Sequence, residues 1–176
     1  MHHSLFFALF PPAADAERLA RLAADLRRQE GLTGRLLDVM RLHVTLLALG
    51  AAETEPLPSF IEAGKEAAAS IVAPPFELAF DRAQSFPGSG AFVLRGDDGP
   101  ATSLSPFWQA LGEAMVGRGI RTRISAVAHM TLLYDDRHVA EFAIEPIRWT
   151  AREFVLVHSH VGRTRHEWLG RWPLRG

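Results

Sequence analysis

Two histidines that lie about half the chain apart begin the same five-residue pattern. Residues 43–47 and residues 129–133 both read His-x-Thr-Leu-Leu, and each pattern lies inside an apolar run. With 8 His and 8 Thr in 176 residues, roughly 0.4 His-x-Thr pairs are expected by chance. One copy alone would indicate a buried histidine that hydrogen-bonds to the backbone. The matched duplicate instead indicates a pair with a shared chemical role.

The spacing within each pattern predicts that the polar side chains project together. Alternate residues of a β-strand share a face, so His43 and Thr45 point the same way, as do His129 and Thr131. An imidazole titrates at about pH 6.5, so one histidine can accept a proton while the other donates one. Hydroxyl groups can donate hydrogen bonds to phosphate oxygens. These four side chains suit phosphoryl transfer by general acid–base catalysis, which requires no metal.

The elements that must position these residues follow from the hydrophobic pattern. Their predicted order is strand, helix, strand, helix, hairpin, helix, strand, hairpin, which is typical of the antiparallel α+β class. Apolar stripes predict the helices near Leu19, Phe60 and Phe107, and Ser59 is the predicted cap of the second helix. A polar connection is predicted for residues 135–145. The predicted strands are 5–10, 42–49, 76–86, 91–95, 126–134, 154–161 and 168–174.

The composition predicts one globular domain over residues 1–176. The net charge is −1, and Lys65 is the only lysine beside 18 arginines, so a long nucleic-acid duplex is not the expected partner. No apolar run has the length of a membrane span, and the chain contains no cysteine, which excludes thiolate chemistry and disulfides. The lack of cysteine is compatible with a reducing compartment. We expect a cytoplasmic monomer.

With these motifs, the chain resembles the 2H phosphoesterase superfamily, and within it the LigT-like bacterial RNA 2′,3′-cyclic phosphodiesterases, also called 2′-5′ RNA ligases. Beyond the motifs, the resemblance rests on residues 5–9, 80–86, 154–159 and 172–174. It implies a bilobal, pseudo-twofold α+β fold in which two antiparallel sheets line a central cleft and the helices lie outside. One motif comes from each lobe.

The resemblance also implies a role for each motif residue. His43 would donate a proton to the leaving 3′ oxygen, and His129 would be the base that activates water. Thr45 and Thr131 would hold the phosphate. The product would be an RNA 2′-phosphate, formed without a cofactor or a metal. The implied partners are RNA 3′ ends or small cyclic-phosphate nucleotides.

One position departs from the pattern of the family. Many relatives carry Arg five residues after the second histidine, where this chain has Tyr134. Arg41, Arg123 and Arg95 are therefore candidates for the missing cation. Tyr134 itself is a candidate for substrate contact, since single-stranded RNA is commonly bound on aromatic faces.

Two other functions are compatible with these residues. The same cleft could belong to a module that binds RNA ends or small cyclic phosphates without turnover. Alternatively, His158 and His160, which share a strand face near His166, could be ligands of a catalytic metal, although no third ligand with the usual spacing is evident. Within the favoured class, the sequence leaves reversible 2′-5′ ligation and the physiological substrate open.

Overall fold

The computed structural model describes residues 2–96, 104–124, 127–161 and 165–176. This part of the chain contains three α-helices and nine β-strands, together with a short 3-10 turn at Val39–Arg41. In chain order they are β1 (His2–Leu9), α1 (Ala13–Gln29), β2 (Val44–Ala52), α2 (Pro58–Ala69), β3 (Phe76–Ser85), β4 (Ala91–Arg95), α3 (Ser105–Val116), β5 (Arg123–Ile124), β6 (His129–Tyr134), β7 (Phe142–Ala151), β8 (Glu153–Val161) and β9 (Arg165–Pro173).

The helices bury the apolar stripes that the sequence predicts. Helix α1 buries Ala16, Leu19, Ala23 and Leu26, which recur at the spacing of one helix face. Helix α2 begins at Pro58, and no side chain caps it. The predicted cap at Ser59 is therefore wrong, because the proline before it already occupies the first turn, where it needs no partner. None of the helices in the described ranges combines the length and the apolar composition needed to cross a membrane.

The strands form one antiparallel path in the order β7-β3-β4-β6-β2-β1-β8-β9, and the short β5 also pairs with β2. Four strands lie on each side of the β6–β2 junction. That junction consists of a single residue pair, Val44 with Met130. The predicted α+β class is confirmed, and the two predicted sheets are two halves of one path that are linked at this pair. Each half contributes one His-x-Thr strand.

Both motif strands contain a β-bulge at the same place. Leu46 in β2 and Leu132 in β6 are extra residues. In each case, the residue before the leucine and the residue after it form pairs with two residues that are consecutive in the neighbouring strand. A bulge interrupts strict alternation. As a result, both leucines of each motif, at 46–47 and at 132–133, are fully buried in the main core. The bulge explains why two consecutive leucines follow each threonine.

The two faces of the sheet have different surroundings. The face that we call the helix face carries the main core, in which Leu5, Phe7 and Val44 pack with residues of the three helices. The opposite face, which we call the motif face, carries His43, Thr45, His129 and Thr131. A smaller cluster on the motif face consists of Phe6, Ala8, Val155 and Val157, with Phe10 packed against it.

Strand β7 was not predicted, since residues 135–145 read as a polar connection. Only the end of that stretch is strand, and β7 continues to Ala151. In the sequence, Pro146 argues against a strand here, because proline has no N–H group to donate to a neighbouring strand. The strand tolerates it because β7 lies at one end of the path and its pairing with β3 is irregular between Phe80 and Arg82, near this proline.

The buried bulge residues should carry much of the stability of the sheet. We expect Leu132→Ala to lower the free energy of unfolding by about 2–5 kcal/mol, since the packed core leaves a cavity where the side chain was. Leu57→Ala is the matched control, because the Leu57 side chain is 69% exposed, and it should change stability by less than about 1 kcal/mol. Urea denaturation followed by circular dichroism measures both. Equal losses in the two variants would contradict the bulge assignment.

Candidate active site

Strands β2 and β6 bring the two motifs next to one another. Each histidine directly precedes a member of the pair that joins the strands, Val44 or Met130. His43 and His129 are both partly exposed on the motif face. They are close enough that positive charge on His129 lowers the pKa of His43. The structure thus brings the two predicted imidazoles to adjacent strands on the motif face.

The two imidazole rings are held in the same way. His43 Nδ1 lies 2.6 Å from the carbonyl oxygen of Arg41, and His129 Nδ1 lies 3.0 Å from the carbonyl oxygen of Val127. A carbonyl oxygen can only accept, so Nδ1 is the protonated nitrogen that donates in both rings. This hydrogen bond selects the tautomer. In the neutral form of each ring, Nε2 therefore carries the lone pair that can accept a proton.

Aromatic rings surround His43. The rings of Phe6 and Phe10 lie 5.2 and 5.6 Å from the His43 ring, centroid to centroid. This burial lowers the pKa of His43 below its ordinary value of 6.5, and the charges of Arg41 and His129 lower it further, against the opposing effect of the Arg41 carbonyl. His129 has a smaller aromatic neighbourhood, in which Phe86 approaches edge-on at 4.9 Å.

His166 is a site residue that the sequence patterns did not predict. Its ring meets the His43 ring edge-on at 5.4 Å, and its buried Nδ1 makes no hydrogen bond within the described part of the chain. Burial, together with the charges of His43 and Arg41, lowers the pKa of His166 to about 4. His166 is therefore uncharged at neutral pH. The sequence signal that could have indicated His166 is the alternation along β9, which places His166 and its neighbour Glu167 on opposite faces of the sheet.

Arg41 supplies a cation beside the imidazoles of His43 and His166. Its side chain is partly exposed and makes no ion pair with any residue that the structure describes, and its buried Nε makes no hydrogen bond there either. A surface pocket next to it is lined by Asp38, Met40, Arg41, Arg165, His166 and Trp168. Arg41 can therefore turn its guanidinium toward an anion in this pocket without first breaking an ion pair.

The two motif threonines also lie on the motif face. Thr45 and Thr131 are partly exposed, and within the described ranges neither hydroxyl has a hydrogen-bond partner. Each pairs with a residue of the neighbouring strand, Ala8 in one half and Val93 in the other. Both hydroxyls are available to a bound anion.

The other predicted contact residues lie farther from the histidines or are already engaged. Tyr134 is 57% exposed at the far end of β6. Arg95 pairs with His129 across the strands, but its guanidinium lies 3.3 Å from a carboxylate oxygen of Glu141. Arg123 pairs with Ala48 of β2, and its side chain lies outside the part that the structure describes. Among the predicted cations whose side chains the structure describes, Arg41 thus lies near a motif histidine without an ion pair to any described residue, whereas Arg95 is engaged by Glu141.

His158 and His160 lie on the opposite face from the motif histidines. Along β8, Val155 and Val157 belong to the cluster of the motif face, so the alternating positions 156, 158 and 160 face the helices. Burial and the neighbouring histidines His160 and His3 lower the pKa of His158. The predicted alternative of a catalytic metal on these residues would therefore form a second site, separate from the motifs.

The charge of Arg41 should be measurable through its two histidine neighbours. We expect Arg41→Gln to raise the pKa of both His43 and His166, because the guanidinium charge lowers both. NMR titration of the histidine ring protons measures this. Arg21→Gln is the matched control, since it removes the same charge from the exposed side of α1 and should leave both pKa values unchanged. Unchanged titration in Arg41→Gln would contradict this geometry.

Comparison with known proteins agrees with this architecture. Residues 7–164 match the model of the 2′-5′ RNA ligase superfamily. The crystal structure of E. coli LigT in apo form is 27% identical, with a TM-score of 0.76 and 99% of each chain covered. LigT complexed with 3′-AMP has the same identity and coverage and a TM-score of 0.74. A protein of Thermus thermophilus, TT0787, is 22% identical, with a TM-score of 0.69 and 98% of each chain covered, and it shares the fold. No curated protein gives a significant sequence match.

The family match covers most of the chain and includes both His-x-Thr strands. The LigT structures share the fold over essentially the full length of both chains. These findings confirm the family that the paired motifs predict. The chain belongs to the 2′-5′ RNA ligase superfamily and has the LigT fold of a 2H phosphoesterase.

Proposed function

We propose that the protein hydrolyses 2′,3′-cyclic phosphate ends of RNA to 2′-phosphates by general acid–base catalysis between His43 and His129. The observation that carries this proposal is the matched anchoring of the two rings, each with Nδ1 on the carbonyl two residues before it. Two imidazoles with equivalent free Nε2 atoms in one site suit an in-line displacement, in which one proton is removed and another is delivered.

The reaction balances with these two side chains and one water. Nε2 of His129 takes a proton from water as its oxygen attacks the phosphorus. The bond from phosphorus to the 3′ oxygen breaks, and Nε2 of protonated His43 gives its proton to that oxygen. The product keeps a 2′-phosphate and gains a 3′ hydroxyl. A 5′ hydroxyl in place of water would form a 2′-5′ linkage, so the proposal includes reversible ligation.

The groups around the histidines support an anionic nucleotide as the substrate. The Thr45 and Thr131 hydroxyls would donate to the non-bridging oxygens of the phosphate. Arg41 would neutralise the phosphate charge in place of the arginine that many relatives carry five residues after the second histidine. Trp168 is 38% exposed, with the Phe10 ring 4.8 Å and the Arg171 guanidinium 5.0 Å from its ring centroid, and its exposed part would contact a nucleobase beside His43. LigT, the E. coli structural neighbour, was solved with 3′-AMP and with ATP.

The direct test uses chelator-treated protein and an oligonucleotide that ends in a 2′,3′-cyclic phosphate, with separation of the 2′ and 3′ products. We expect turnover to the 2′-phosphate without added metal. His43→Ala and His129→Ala should each lower kcat by about 10²–10⁴-fold, since each removes one proton-transfer group. The double variant should lose little more than the worse single variant, because the two residues act as a unit.

His138→Ala is the matched control, since this histidine is exposed on the connection before β7 and should leave turnover unchanged. Binding of a 2′-phosphate oligonucleotide without any turnover of the cyclic form would contradict catalysis and favour the non-catalytic binding module. Turnover that disappears with chelator and returns with metal would contradict the two-histidine mechanism.

The pH dependence tests which state of His43 is active. Burial lowers the pKa of His43 in the free protein, so its charged form is lost as pH rises from below 6.5. If His43 is the acid, kcat/KM should fall on the alkaline side at a lower pH than kcat does. Bound phosphate stabilises the imidazolium in the complex and so raises its pKa there. Stopped-flow or steady-state profiles from pH 5 to 9 measure both limbs. If kcat and kcat/KM fell at the same alkaline pH, the role of His43 as the acid would be contradicted.

A further inference from the structure

Three histidines form a second cluster on the helix face, away from the motif histidines. His3 of β1 pairs with His160 of β8, and His158 lies two residues before His160 on the same face. Leu5 and Leu156, which share this face, belong to the main core. His3 and His158 are buried, at 3% and 7% exposure. Three imidazoles in an apolar environment are unusual unless something satisfies their nitrogens.

The ring nitrogens converge. One nitrogen from each of the three rings lies within 4.8 Å of the others, and His3 Nδ1 lies 2.9 Å from His158 Nε2. A tetrahedral zinc ion with Zn–N bonds of about 2.0–2.1 Å separates its nitrogen ligands by about 3.3 Å. The cluster therefore needs only small movements to reach that spacing. His160 Nε2 is buried and makes no hydrogen bond within the described residues.

A carboxylate completes the set. Glu167 of β9 pairs with His158, and its Oε2 lies 3.5 Å from His160 Nε2. Its side chain is 45% exposed, so it can reach the cluster from the solvent side. A pocket lined by His3, Glu55 and Phe60 gives an ion a route to the cluster from the loop before α2. Nitrogen ligands with one oxygen ligand suit zinc.

We propose that His3, His158 and His160 form a zinc site, with Glu167 as the fourth ligand or as the partner that orients His160. One proton lies between His3 Nδ1 and His158 Nε2 in the metal-free protein. On binding, that proton moves to the other nitrogen of its own ring, so that both lone pairs face the ion. The ion cross-links β1 to β8 near the start of the chain. Its role is structural, since the cluster lies on the face opposite His43 and His129.

The test uses metal-free full-length protein with Zn²⁺ and with Co²⁺ as a spectroscopic probe. We expect one tight site, with a dissociation constant below about 10 µM by calorimetry and a visible Co²⁺ spectrum of the tetrahedral kind. Zinc at about 100 times the dissociation constant should raise Tm by about 5–10 °C. Chelator should reverse this rise while turnover of the cyclic phosphate is retained. Loss of the Zn²⁺ site and failure of the hydrolysis assay are therefore distinguishable.

His158→Gln and His160→Gln should each weaken Zn²⁺ binding by more than about 100-fold, and Glu167→Gln by about 10-fold. His2→Ala and His43→Ala are the controls, since His2 is exposed next to the cluster and His43 lies on the other face, and both should keep the tight site. Circular dichroism of the metal-free variants checks that they fold. Wild-type protein that binds Zn²⁺ more weakly than about 10 µM would overturn the proposal. Loss of the tight site in either control, or its retention in both glutamine variants, would also overturn it.

Discussion

A hydrogen bond from each motif histidine to the backbone is the interaction on which the site depends. The carbonyls of Arg41 and Val127 each accept from a ring two residues further on, so the orientation and the tautomer of both rings are set by the backbone just before each strand. No second side chain is needed to orient either ring. This local anchoring lets one short pattern in each half of the sheet present the Nε2 of its ring in the same way. Tertiary structure then has only to bring the two strands together, which the single pair of Val44 with Met130 achieves.

The leucines of each motif provide that tertiary structure. Because Leu46 and Leu132 are bulge residues, two consecutive leucines enter the main core while the preceding His and Thr stay on the motif face. The same five residues thus carry the proposed catalytic side chains and fix the strand against the core. The halves differ in what surrounds the rings: His43 lies among Phe6, Phe10 and His166, whereas Phe86 is the aromatic neighbour of His129. The two halves therefore anchor their rings alike but surround them differently, as the proposed acid–base pair would require.

The sequence predicted the parts of this arrangement that depend on local pattern. The strands with both motifs, the three helices and the β3–β4 hairpin follow from alternation, apolar stripes and turn residues, and the paired motifs pointed to the site. What it could not predict depends on register between distant strands. The ring of His166 contacts His43 only because the register of β8 with β9 places His166 on the motif face, opposite to Glu167. His3 contacts His158 only because β1 pairs with β8. Asp135, read as part of a polar connection, accepts from the backbone of Thr33 and Gly34 and holds a loop that is distant in sequence.

The anchoring of the rings can be measured directly in the protein labelled with ¹⁵N in its histidines. Two-bond ¹H–¹⁵N spectra at about pH 8.5, where an ordinary histidine is neutral, report which nitrogen of each ring carries the proton. We expect His43 and His129 both to be protonated on Nδ1, with Nε2 unprotonated. A neutral ring protonated on Nε2 at either position would contradict this anchoring, since that nitrogen would then have no lone pair with which to accept a proton.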